Sequence, residues 1–392
     1  MKTDKIRRIK DNVILLLWVV ILAAFFSFLF YRQAIIYNQQ YPSDLPSQID
    51  AAVTGGKGAL LLIIRALMEA TNGFKYAVAL FLGFVTAFTW AAASLFIEKH
   101  LSMKRWGAML CALALMFLTS VPVPMFRRYY AGSLVAQPWH NPPYIAMRLF
   151  AVLAMYFFAE LYRICLDEKR ISWMHWVLTC GMAFLATLMK TGFLMVFSVT
   201  LAIFLLKDLI TKQLSLINAV LLVLPIIPSV VLMIVQYRTL CAEEPGYHII
   251  AGLSIYFFQE RLRSFIMKYI TGLFFPLIVL YYNRKKLPRS MIFVYAAFGV
   301  GIIEAMFLME SGTRMNNGGF LWGMQVFAFM VYMHLVPLFI VNVKDYIKKA
   351  SLLKADLYHK LYFLAGSALI LLHTAYGMNY YYLLMRGIDY YI

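Results

Sequence analysis

The reactive side chains of this chain fall in a few short polar stretches, and Asp44 heads the first of them. It stands in YPSDLPSQID, directly after a long apolar run, with Pro46 and a second acid, Asp50, close behind. An aspartate at the edge of a membrane stays ionised. In a partly dry cleft it gains enough basicity to take a proton from a hydroxyl. The same residues are also ordinary turn chemistry, in which the acid merely caps a bend. A second stretch, AQPWHNPPYIAMR, sets His140 beside Asn141. The imidazole offers a base near neutral pH, the amide offers hydrogen bonds, and the two prolines stiffen the entry to the next apolar segment. Arg148 follows about one and a half turns into that segment, where a guanidinium must snorkel or find a carboxylate or a phosphate.

Further charges interrupt the apolar sequence. Lys190 separates WVLTCGMAFLATLM from TGFLMVFSVTLAIFLL with almost no loop. It is a boundary charge if that hairpin is exposed, and a point charge for a phosphate if the hairpin dips into a cleft. Glu304 lies deep in VYAAFGVGIIEAMFLM, where an acid needs a partner, a proton or a water-lined cavity. Glu310 then opens ESGTRMNNGGF, and a helical turn there would pair it with Arg314 and aim that guanidinium at a phosphate. The stretch 237–264 adds Glu243, Glu244, His248, Arg261 and Arg263, whose basic end suits lipid phosphate at headgroup level. Asp44, His140 and Glu310 are therefore the expected catalytic groups. Asp50, Asn141, Arg148, Lys190, His248, Arg261, Arg263 and Arg314 are the expected substrate contacts. The histidines lack the spacing of a zinc set, and the four scattered cysteines suggest neither a disulfide framework nor a metal cluster. Asp44 and Glu310 could still share one hydrated divalent cation such as Mg or Mn, bridged by a substrate phosphate.

Helices in a membrane have to position these groups. With 63% hydrophobic and only 14% charged residues, against about 25% charged in soluble domains, the chain has too little polar sequence to cover a soluble fold. Its apolar blocks match the length that crosses a ~30 Å hydrocarbon layer as a helix. The expectation is an all-α, polytopic membrane protein forming a single integral-membrane unit. Eleven crossings are expected, near 13–31, 75–97, 106–123, 143–163, 173–189, 192–206, 214–236, 265–282, 291–308, 321–342 and 361–378. Residues 58–70 read as an interfacial helix, with Leu60, Leu61, Ile64 and Leu67 towards lipid and an Arg65–Glu69 pair towards water. The basic flank and long apolar run at the N-terminus read as a retained first span.

The net charge of +18 is explained by its placement and not by nucleic acid. If the N-terminus is cytoplasmic, 22 of the 36 lysines and arginines fall in cytoplasmic segments, as the positive-inside rule requires. That orientation leaves 32–74, 124–142 and 237–264 outside, together with 310–323 and the C-terminus. The cytoplasmic loops are short and have no glycine-rich phosphate loop, which excludes ATP or a nucleotide sugar as the immediate substrate. Chemistry is expected on the outer face.

With Asp44 in YPSDLPSQI after the first span, the helix at 58–70 and the external arginines and lysines, the chain resembles the GT-C type of integral-membrane glycosyltransferases of bacteria. WHNPPY and ESGTRMNNGGFLWG are also similar to motifs of polytopic proteins encoded in bacterial surface-polysaccharide loci. The resemblance implies a bacterial cytoplasmic membrane, a polyprenyl-phosphate-linked sugar donor, a glycan or lipid-linked acceptor and contact with membrane lipids. Asp44 would deprotonate the acceptor while Arg148, Lys190 or Arg314 steadies the departing phosphate. The sequence departs from that pattern in its short first external segment and its lack of an adjacent aspartate pair. A polysaccharide polymerase or ligase acting on a polyprenyl-diphosphate-linked glycan, and a transporter of lipid-linked glycans, are the alternatives.

Overall fold

A computed structural model describes residues 2–35, 43–119, 139–167, 172–244, 246–254, 262–314, 318–349 and 357–387; the side chains of 2–9, 262–270, 313, 348 and 349 lie outside the description. The described chain is almost wholly helical. Its helices are α1 (Lys2–Ile35), α2 (Leu45–Val53), α3 (Ala59–Ala70), α4 (Lys75–His100), α5 (Arg105–Met116), α6 (Pro142–Leu166) and α7 (Trp173–Met189). They continue as α8 (Gly192–Ile210), α9 (Leu216–Val223), α10 (Ile227–Glu243), α11 (Leu262–Asn283), α12 (Arg289–Phe307), α13 (Leu321–Lys349) and α14 (Leu357–Arg386). Two short antiparallel strands, β1 (Ile249–Ala251) and β2 (Leu308–Glu310), pair with Ile249 opposite Glu310.

Among the described residues, eight helical segments are long and apolar enough to cross a membrane, and three shorter apolar helices, Arg105–Met116, Trp173–Met189 and Thr271–Asn283, accompany them. Every apolar block read from the sequence coincides with one of these helices. The block at 214–236 is the exception to smooth helix: Pro225 and Pro228 cannot supply N–H donors, and a 3-10 turn at Leu224–Ile226 separates α9 from α10.

The core is organised around α13. Residues 323–337 are buried on every side of it, the pattern of a helix with no lipid-facing stripe. At its start it meets α8 almost backbone to backbone, since a Cβ on Gly192 would lie 2.8 Å from the Gly323 nitrogen and one on Gly323 would lie 2.4 Å from the Gly192 oxygen. Small residues permit that approach, which in lipid substitutes for a hydrophobic driving force. It also brings the α7–α8 turn, with Lys190, against the first turn of α13.

Because successive helices alternate in direction, the starts of α6, α8 and α13 share one end of the bundle with α2, α3 and the β1–β2 pair. The opposite end gathers structural ion pairs. Glu160 meets Arg163 at 2.9 Å and Lys99 at 3.4 Å. Asp208 at the end of α8, fully buried, joins Tyr162 of α6 and Arg289 of α12. Arg289 also donates to Gln213 at 2.9 Å.

Two expectations need correction. The apolar face of α3 does not turn to lipid: Leu60, Ile64 and Met68 are buried in the protein, and Leu61 and Leu67 pack against the same core. Nor does Arg65 pair with Glu69. Its guanidinium donates to the carbonyls of Ala52 at 2.7 Å and Gly56 at 3.1 Å, which ties α3 to the end of α2, an amphipathic helix directly after the Asp44 turn.

The Asp208–Arg289 pair should carry measurable stability. Removing one partner of a fully buried pair costs ~3–5 kcal/mol; with the Arg289 side chain 33% exposed, the expected loss for Asp208→Asn is on the order of 2 kcal/mol. In a double-mutant cycle on protein in lipid nanodiscs, combining it with Arg289→Gln should cost clearly less than the sum of the single changes; additive losses would contradict the coupling.

Candidate functional site

A cleft of about 1280 Å³ opens at the end of the bundle where α6, α8 and α13 begin, and Asp44, His140, Asn141, Lys190, Glu310 and Arg314 all line it. Four separate stretches of sequence supply them. Asp44 precedes α2, whose first turn holds Pro46, yet its carboxylate makes no capping bond to that helix. The Asp44 N–H instead donates to the His140 carbonyl at 2.9 Å, so the two loops are joined through their backbones. Its carboxylate is then left to accept from the Asn141 amide, Nδ2 to Oδ2, at 2.6 Å.

Asn141 caps α6, its Oδ1 accepting from the Tyr144 N–H at 3.0 Å. Lys190 donates to the same Oδ1 at 3.4 Å, and its ammonium sits 3.9 Å from the centroid of the Trp322 ring on α13. Burial pulls the Lys190 amine down to about 7, against the opposing fields of Asp44 and Glu310. The lysine is thus a half-buried cation poised near neutrality between two carboxylates. His140 is buried, and that burial lowers its basicity; Asp44 opposes the shift and Lys190 adds to it. Its Nδ1 meets the Tyr380 hydroxyl at 3.1 Å, while its carbonyl holds Asp44.

Across the cleft, strand pairing places Glu310. The Tyr247 hydroxyl donates to its Oε1 at 2.9 Å, and burial together with the Glu310 charge pushes the phenol's ionisation to higher pH, keeping that proton in place. The carboxylate lies flat on the backbone of Gly319, where a Cβ would come within 2.6 Å of Oε2. The expected Glu310–Arg314 pair is therefore absent: Glu310 is in a strand, not a helical turn. Arg314 instead forms a forked contact with Glu244, Nη2 to Oε1 at 2.7 Å and Nε to Oε1 at 2.9 Å. Lys57 and Glu243 pair at 2.8 Å at the cleft's exposed rim.

Other expected site residues lie elsewhere. Arg148 is fully buried behind the cleft, its guanidinium 5.1 Å from the Phe329 ring centroid, 5.7 Å from Tyr144 and 5.9 Å from Trp139. It does not line the cleft. Asp50 is exposed on α2, and His248 is exposed beside Ser311, 3.0 Å from its hydroxyl; neither lines the cleft. Glu304 is buried within α12, also away from the cleft lining. Arg261 lies outside the described residues, as does the side chain of Arg263. Among the described residues no three His, Cys, Asp or Glu side chains gather as a cation site. Asp44 and Glu310, the two acids considered from sequence for a divalent cation, both line the cleft, and Lys190 lies in the field of each.

Sequence reasoning missed Trp322, Tyr247 and the carboxylates Glu243 and Glu244 as ion-pair partners. Trp322 had a signal in its place at the start of an apolar block, since an indole there has one face for a cation.

Below the polar groups the walls become apolar. Leu188 and Met195 face Leu232, Met233 and Val235 of α10, a helix in which only Ser229 is buried. From Glu243 to Leu232 the α10 wall descends about 16 Å at ~1.5 Å per residue, roughly half of a ~30 Å hydrocarbon layer. The chain matches no protein-family model and no curated protein sequence. The arrangement itself offers a carboxylate, a cation of tunable charge and an apolar trough along α10.

Lys190 gives a direct check on this electrostatic setting. Its rate of modification by an amine-selective acylating reagent, followed by peptide mass spectrometry, should rise through a midpoint near pH 7, well below the ~10.4 of an ordinary lysine. Modification only above pH 9 or so would show that Lys190 is fully hydrated and not held in the cleft.

Proposed function

We propose that this protein is a membrane glycosyltransferase, moving a sugar from a polyprenyl-phosphate-linked donor to a glycan or lipid-linked acceptor on the extracytoplasmic side of a bacterial cytoplasmic membrane. One observation carries the reading. The Asp44 carboxylate and the Lys190 ammonium meet on a single amide, Asn141, at the head of a cleft whose lower walls are apolar. An amphipathic cleft of this kind suits a substrate with an anionic head and a hydrocarbon tail. The placement of the basic residues supports the orientation, with the N-terminus inside, the C-terminus outside and the three shorter apolar helices completing eleven crossings.

In the reaction, the acceptor hydroxyl oxygen attacks the anomeric carbon of the donor and its proton passes to Asp44. The bond from that carbon to the phosphate oxygen breaks, and the electron pair leaves with the polyprenyl phosphate. Lys190 stabilises the charge that develops there, in a site dry enough for the interaction to be strong. A single displacement needs one carboxylate base and inverts the configuration. Glu310, steadied by Tyr247, is placed to accept hydrogen bonds from sugar hydroxyls.

The charge balance favours this over the polymerase or ligase reading. Among the described residues lining the cleft, Arg314 is already paired with Glu244 and Lys57 with Glu243, leaving Lys190 as the cation without a carboxylate in direct contact. One such cation suits the single charge of a phosphodiester better than a diphosphate.

Asp44→Asn retains shape and can still accept from Asn141, but it cannot take a proton. With reconstituted protein, a polyprenyl-phosphate sugar and a cell-surface glycan acceptor, it should lower turnover by about 10²- to 10⁴-fold while donor binding persists. Full turnover by Asp44→Asn would remove Asp44 as the base.

A further inference from the structure

Asn141 was expected to touch substrate, but its side chain is already committed on three sides to the protein. Its Oδ1 accepts from the Tyr144 N–H at 3.0 Å and from Lys190 at 3.4 Å, and its Nδ2 donates to Asp44 at 2.6 Å. These bonds fix the amide's polarity. Reversing it would turn an NH2 group towards both the helix N–H and the ammonium, and an oxygen towards the carboxylate. Asn141 is also buried, and two prolines begin the helix that it caps, which restricts both its backbone and its side chain. On Asp44, Oδ1 makes no hydrogen bond among the described residues and remains the face presented to the cleft.

We infer that Asn141 is a positioning residue, through which the start of α6 sets the direction of the Asp44 carboxylate and couples it to the Lys190 ammonium. This rests on the reading of Asp44 as the base. A simple helix cap would not need an amide, because Ser or Asp satisfies the same N–H about as well. Only an amide accepts from the helix and the lysine while donating to the acid. The geometry makes two consequences follow. Asp44 keeps one oxygen tethered and the other free for the acceptor proton. An anion that draws Lys190 away from Oδ1 alters the partner of the group that holds the base, so occupancy of the phosphate position is felt at Asp44.

Two substitutions separate the capping role from the bridging role. Asn141→Ser keeps the cap and loses the bridge. Asn141→Asp keeps the cap and the Lys190 contact but sets a second carboxyl against Asp44, so that the two share a proton. The charged and titratable groups facing this pair are His140 from the entry to α6, Lys190 from the α7–α8 turn and Glu310 across the cleft. Asn141→Ser should lower kcat by about 10- to 100-fold with the donor KM changed by less than about 2-fold. Asn141→Asp should move the acid limb of the kcat–pH profile upward by about one pH unit or more. The same variant puts a carboxylate beside Lys190 and should move the midpoint of Lys190 acylation above its value near 7, a readout that needs no sugar transfer. Wild-type kcat and an unmoved acid limb, together with an unmoved acylation midpoint, would overturn the inference. A moved midpoint with unchanged kinetics would retain the Asn141–Lys190 link and count against Asp44 as the base, overturning the positioning role in the reaction.

Discussion

A buried amide with three partners of different charge is the constraint on which this site depends. Asn141 meets a helix terminus, a carboxylate and an ammonium at once, and each contact restricts the other two. The helix N–H fixes which end of the amide is oxygen. That choice leaves only the NH2 group for Asp44 and only the oxygen for Lys190. In a low-dielectric setting such bonds are stronger than in water, and leaving any of them unmade is correspondingly costly. The coupling of acid and cation through this amide is therefore a property of the fold.

What holds the amide in place is a membrane bundle with unlike ends. The close approach of Gly192 and Gly323 fixes the α7–α8 turn against α13, and the Trp322 ring in that first turn covers the Lys190 ammonium. At the far end, Asp208, Tyr162 and Arg289 bind α6, α8 and α12 together, so two of the three helices whose starts frame the cleft are also pinned where they finish. The wall that lacks such support is α10. It follows a proline-interrupted turn, has one buried residue and is joined at its tip by Glu243 to Lys57 and through Glu244 to Arg314. A rigid polar head beside a sparsely packed apolar wall is the arrangement that the proposed lipid-linked donor would need.

The bundle was legible in the sequence because the requirement on a membrane helix is simple: enough consecutive apolar residues, with backbone groups satisfied within the segment. The meeting of Asp44, His140, Asn141 and Lys190 was legible in part, since polar groups at helix ends on one face have few places to go. Failures came where residue type leaves the neighbour undetermined. The periodicity of α3 identifies its apolar face but does not distinguish lipid from protein as its cover. Arg148 announces a costly charge without saying that aromatic rings surround it. The four-residue spacing of Glu310 and Arg314 suggests a pair only if the segment is helical, and the strand partner that prevents this, Ile249–Ala251, is distant in sequence. The helix α2 did carry a signal in Asp44 followed by Pro46, an N-cap acid and a first-turn proline, which the turn reading absorbed.

In the proposed reaction one phosphate-linked sugar binds with its phosphate at Lys190 and its anomeric carbon turned to Asp44. The most direct test is a cryo-electron microscopy map of the protein in lipid nanodiscs with a non-transferable polyprenyl-phosphate sugar analogue. Phosphate density is expected against the Lys190 ammonium, with the sugar within hydrogen-bonding reach of the free Asp44 oxygen and the tail lying between α8 and α10. A headgroup bound away from Asp44 and Lys190, or carried in a polar passage through the whole bundle, would contradict it.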